Sequence, residues 1–178
     1  MHALWKLAAG LALVLTTAAC SGSGSDEIRC PRAAIVPELK SVAKFAPGTT
    51  PDPQAVAYGG RMTTASLSCE YDDKKHGLTV SSTLAVVALR SKPDVRKGQI
   101  TYFVAVVDRR SNILNERDFV IDLTFPAKQD RLDISEEHEE FIPMPKTGTG
   151  ADYGILFGFR LTPEELKFVR DHEQQGPG

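Results

Sequence analysis

The chain has 178 residues, of which 42% are hydrophobic and 25% charged, with 21 Lys and Arg against 23 Asp and Glu. That length and balance fit one ordinary globular domain. The near-neutral mixture argues against nucleic-acid binding, which requires a basic stripe, and against a polybasic membrane-surface binder.

The first six residues, "MHALWK", carry one charged side chain, Lys6, and 13 uncharged residues follow, "LAAGLALVLTTAA". A membrane-spanning helix needs about 20 apolar residues, so the run is too short to cross. A basic start, a short apolar stretch and the small residues Thr17, Ala18 and Ala19 mark a secretory signal peptide over 1–19. Cys20 comes next, and 20–29, "CSGSGSDEIR", reads as a Gly/Ser-rich tether. The stretch ending at Cys20 resembles a bacterial lipoprotein signal, in which the Cys is acylated and becomes the mature N-terminus. Thr17 stands where that pattern usually has Leu. The resemblance implies a lipid anchor at Cys20 and, with Ser21 rather than Asp after it, retention in the inner leaflet of the outer membrane. Secretion after plain cleavage behind Ala19 is the alternative.

Removal of residues 1–19 leaves 159, enough to bury a single core without metals. Cys30 and Cys69 then form an even pair, which in an exported protein reads as a disulfide. Closing a loop of that length stabilises by about 4 kcal/mol on the chain-entropy model. Two buried thiols or a metal pair are the other readings, but the spacing is not that of a zinc site.

Residues 30–48 look extended, because Pro31 and Pro37 oppose a regular helix. From Ala55 the pattern alternates. Met62, Thr64, Ser66 and Ser68 fall on one face, and Thr63, Ala65, Leu67, Cys69 and Tyr71 on the more apolar other, with a bulge suggested at Gly59-Gly60. "DDKKHG" reads as a hairpin turn. In "LTVSSTLAVVALR", Leu78, Val80, Leu84, Val86 and Ala88 point inward. "ITYFVAVVD" has the continuous apolar character of a central strand covered on both faces. "RRSN" is a turn, and "RDFVIDLTF" sets Phe119, Ile121, Leu123 and Phe125 against Asp118, Asp122 and Thr124. "RLDISEEHEEFIPM" is a mostly polar strand, and "YGILFGFRL" aligns Tyr153, Ile155, Phe157, Phe159 and Leu161. In "TPEELKFVRDHE" the period changes: Thr162 caps, Pro163 takes the first helical position and Glu165 completes a capping box. The tail 173–178 is expected to fray.

These elements predict an all-β domain over 30–172, an antiparallel two-sheet sandwich of about seven strands. It is immunoglobulin-like in the broad sense and carries a short C-terminal helix. A closed barrel is the second choice.

Chemistry is sparse. If "EEHEE" (136–140) is a strand, Glu136, His138 and Glu140 share a face that could offer a metal two carboxylates and an imidazole. The plainer reading is a solvated outer face or a charged edge strand. "DDKKHG" mixes signs at a hairpin tip, no G-x-S-x-G elbow occurs, and no glycine loop opens onto a helix to cradle phosphate. The expectation is no catalytic residue, no cofactor-binding residue, no cofactor and no metal, with His138 the residue to inspect in any cleft.

Cys30-Pro31, Cys69, "YFVAVVD" (102–108) and "GFRLTPEEL" (158–166) together resemble a family of alphaproteobacterial envelope lipoproteins that carries no established activity. The resemblance implies location and fold. The expected function is a non-enzymatic outer-membrane lipoprotein facing the periplasm and binding other envelope proteins. Its partners would be the membrane, through Cys20, and an envelope protein, but no nucleic acid. A periplasmic ligand-binding module or hydrolase centred near His138 is the alternative.

Overall fold

In the computed structural model, residues 29–145 and 148–173 are described; the expected signal peptide, Cys20 and the chain up to Ile28 lie outside them. Eight strands follow in order: β1 (Arg32–Ile35), β2 (Ser41–Phe45), β3 (Val56–Asp72), β4 (Gly77–Arg90), β5 (Lys97–Asp108), β6 (Ile113–Thr124), β7 (Arg131–Pro143) and β8 (Tyr153–Phe159). One helix, α1 (Pro163–Glu173), ends the described chain. Two four-stranded sheets result, with orders β1-β8-β5-β6 and β2-β3-β4-β7. The all-β sandwich is therefore present. Its eighth strand comes from the proline-bearing N-terminal segment, which supplies both β1 and β2. All pairings are antiparallel except β1 with β8, which is parallel.

Alternation builds the core. Leu78, Val80, Leu84, Val86 and Ala88 of β4 face Ile100, Tyr102, Val104 and Val106 of β5 in one buried cluster. Each large aliphatic chain taken out of water there contributes about 1.5–3 kcal/mol. The middle of β5 is buried on both faces, as its unbroken apolar run predicts.

The expected bulge at Gly59-Gly60 lies elsewhere. The register with β4 slips between Met62 and Thr64, so Thr63 is the extra residue. That insertion reverses the face assignment at the start of β3. Met62 is buried in the core, the half-buried Ala65, Leu67 and Cys69 pack against that core, and Thr63 and Thr64 are both exposed. Gly60 instead permits close approach of the sheets, since a Cβ there would sit 2.8 Å from Ile100 Cδ1.

The Cys30–Cys69 disulfide joins the start of the domain to β3, an interior strand. The capping box of α1 forms as read: Thr162 N donates to Glu165 Oε2 at 3.0 Å and Glu165 N to Thr162 Oγ1 at 3.2 Å. The helix docks on β2 through an edge-to-face contact of Phe168 with Phe45 and an ion pair of Lys44 with Glu165 at 2.8 Å.

Candidate functional site

The edge strands β6 and β7 lie on the same side of the sandwich, one from each sheet. Along β7, Leu132, Ile134, Glu136, His138, Glu140 and Ile142 all turn toward the other sheet, and Glu137 and Glu139 turn out. "EEHEE" is thus an edge strand, but Glu136, His138 and Glu140 are not its solvated face. They are the polar middle of an inward stripe that begins and ends with aliphatic residues. His138 and Glu140 are only 8% and 6% exposed.

Buried polar groups need partners, and these have them. Tyr102 on β5 sends its hydroxyl across the gap, donating to Glu136 Oε2 at 3.2 Å and lying 3.0 Å from His138 Nε2. A phenol has one hydrogen. With that hydrogen on Glu136, Nε2 carries its own and donates to the tyrosine oxygen, forming a chain from imidazole to phenol to carboxylate. The imidazole is packed among Phe119, Tyr102 and Phe157, the first with ring centroids 4.5 Å away. On the neighbouring strand Ser82 is level with His138 and is also buried.

One register step along, Arg117 of β6 closes the lip. Its Nε donates to Glu140 Oε1 at 3.1 Å, its Nη2 contacts the same oxygen, and Nη2 also reaches the Glu139 carbonyl at 3.3 Å. Burial pushes the His138 imidazole below its ordinary 6.5, against Glu136 and Glu140, which favour the cation; Arg117 adds to the lowering. Burial and the Glu136 charge raise the Tyr102 phenol, holding it protonated. Chemically the cluster can clamp two edge strands together and respond to protonation.

Among the described residues no group of three or more His, Cys, Asp or Glu side chains is arranged to hold a metal ion. A shallow groove of about 540 Å³ runs across β3, β4 and β7, lined on the outer face by Ser66, Ser68, Ser81, Thr83, Glu137 and Glu139. The "DDKKHG" turn is locally organised: Asp72 accepts the Lys74 and Lys75 amides, and His76 takes a positive φ of 52°. Cys20 lies outside the described residues.

Sequence reasoning missed Tyr102, Arg117 and Arg90 as structural polar groups. Arg90 is buried, donating to Asp130 at 2.6 Å and to the carbonyls of Pro93, Val95 and Ala127. Its signal was available, since position 90 continues the inward even-numbered series of β4.

Among the described residues no helix is long and apolar enough to cross a membrane. No family model, curated protein or solved structure matches this chain.

Proposed function

We propose that the chain is a non-enzymatic outer-membrane lipoprotein, facing the periplasm, that serves as an accessory or scaffold for other envelope proteins. The observation that carries this reading is the surface of β6. This edge strand leaves Ile113, Leu114 and Val120 more than half exposed, at 61%, 54% and 53%. A bulge adds Leu114 opposite Val106–Val107. An edge strand with exposed apolar side chains offers a partner both main-chain hydrogen bonds and side-chain burial. The signal-like segment ending at Cys20 supports the location.

The test is crosslinking in intact cells followed by mass spectrometry of the captured proteins, with Cys20→Ser and Val120→Lys beside the natural chain. One abundant partner, lost with either substitution, is the expected result. A partner retained by Val120→Lys would displace the contact from β6, and a chain captured alone would overturn the reading.

A further inference from the structure

We infer that the groove across the outer face of β3, β4 and β7 is a binding site for an amine-bearing glycan, a chain of sugar rings that carry free amino groups. Register defines its shape. Ser68, Ser81 and Glu139 are level on the three strands, and Ser66, Thr83 and Glu137 are level two residues along. Between these two rungs runs the row of Leu67, Ser82 and His138, whose side chains turn toward the other sheet and leave main chain as the floor. Strands about 4.8 Å apart and a rise of about 7 Å per two residues make a trough about 10 Å long, wide enough to seat one sugar ring between the rungs. Its volume of about 540 Å³ is that of a small-molecule site.

Each rung offers the same set, two hydroxyls and then a carboxylate. A hydroxyl donates and accepts, whereas an ionised carboxylate only accepts. The hydroxyls therefore match those of a sugar ring, and the carboxylates at the β7 end select an ammonium group. Among the described residues none of the six side chains has a hydrogen-bond or ion-pair partner, so all are available to a ligand. A simple polyamine would leave the four hydroxyls unmatched, and a neutral glycan would leave the two carboxylates without a cation.

The surrounding charges leave those carboxylates unopposed. One rung on, Glu70 is level with Thr79 and Phe141, and on the other side Thr64, Ala85 and Ser135 carry no charge. The β3–β4 turn sets Asp72 and Asp73 against Lys74 and Lys75, and Lys75 is drawn to Asp72 at 3.4 Å and over the Phe141 ring. Arg117 reaches β7 from its inner side, where Glu140 and the Glu139 carbonyl take it up. Guarding a free edge would account for Glu137 and Glu139 but not for the hydroxyl rungs. A central strand such as β4 favours branched or aromatic side chains, and one at position 81 would fill the trough that Ser81 leaves open.

The test titrates the full-length protein, held in a zwitterionic detergent without sugar headgroups, with four probes: a β-1,4-linked glucosamine tetramer, its N-acetylated form, the corresponding glucose tetramer and spermidine. Amide NMR shifts locate the binding. The glucosamine tetramer should move the amides of 66–68, 81–83 and 137–139 and bind about tenfold more tightly than each of the other three, the gain from charge-assisted hydrogen bonds added to hydroxyl contacts. E137Q/E139Q should reduce its affinity to that of the glucose tetramer, and Ser81→Val should abolish binding, with urea unfolding confirming that both variants keep their fold. Spermidine binding as tightly as the glucosamine tetramer overturns the inference, because charge alone then suffices. Equal binding of the N-acetylated or glucose tetramer overturns the amine requirement and the inference with it. Shifts confined to another surface, or no binding by any probe, overturn it as well. None of these outcomes bears on partner capture at β6, which stands or falls by its own crosslinking test.

Discussion

Tyr102 and His138 meet across the gap between the two sheets, phenol oxygen to Nε2 at 3.0 Å, and Glu136 accepts the phenol hydrogen at 3.2 Å. The tyrosine is the central link of that chain, so its loss strands two groups at once. Tyr102→Phe keeps the ring in its stack with Phe119, whose centroid is 5.5 Å away, and removes only the oxygen. We expect a loss of about 1–3 kcal/mol, the cost of an unsatisfied buried polar group. Urea unfolding should show a lower midpoint at unchanged slope. An unchanged midpoint would mean that water replaces the hydroxyl freely.

His138 gives the fold a pH dependence whose sign follows from its environment. Burial lowers its pKa below 6.5 in the folded state, although Glu136 and Glu140 partly oppose this. Below 6.5 the unfolded chain binds the proton more readily than the folded one, so stability falls as pH drops through that window. It is fully present above pH 6.5. His138→Gln should flatten the stability curve just below pH 6.5, measured by urea unfolding at successive pH values. Asp72, Asp108 and Asp133 have pKa values lowered from 3.8, so the losses they contribute fall at more acid pH. A variant that keeps the natural slope there would assign the effect to another group.

The same histidine shows where the sequence is legible and where it is not. Period-two alternation correctly separates inside from outside in β4, and the continuous apolar run of β5 correctly reads as a strand buried on both faces. In β7 the inward stripe turns from Ile134 to Glu136, His138 and Glu140 and back to Ile142, so a reading by polarity places its middle in solvent. Phase was the better guide than polarity, since Leu132, Ile134 and Ile142 share the parity of His138. The partners that make the burial tolerable, Tyr102 and Arg117, come from the other sheet, and no local pattern announces them. At Met62 phase itself fails, because the extra residue Thr63 puts Met62 and Thr64, which a bulge-free strand would place on the same face, on opposite faces. The parallel pairing of β1 with β8 joins segments more than 100 positions apart, beyond any local signal.

Arg90 pins two connections at the far end of the sandwich. Its side chain is only 3% exposed, whereas that of its carboxylate partner Asp130 is 72% exposed. The guanidinium also donates to Pro93 O and Val95 O before β5 and to Ala127 O before β7. A lysine cannot reproduce that fork of donors. Arg90→Lys should therefore cost about 2–4 kcal/mol, since three carbonyls lose a donor, while Asp130→Ala should cost under about 1 kcal/mol as an exposed half of the pair. Thermal unfolding of both variants checks the ratio. Equal losses would show that the ion pair, rather than the carbonyl cradle, holds the two connections.

The Cys30–Cys69 bond restrains the least supported part of the sandwich. β1 is four residues long, pairs only with β8, and follows Cys30 by a single proline. Replacing both cysteines with serine should lower stability by about 4 kcal/mol on the chain-entropy model, with a smaller loss if the native bond is strained or the unfolded chain stays compact. Reductant should lower the unfolding midpoint of the natural protein and leave the double variant unmoved. Hydrogen exchange locates the effect: amides of Arg32–Ile35 should lose protection more than those of β5, which is paired on both sides by β8 and β6. Loss spread evenly over both strands would instead mean that the bond acts through the unfolded state alone, with no local role in holding β1 to the sheet.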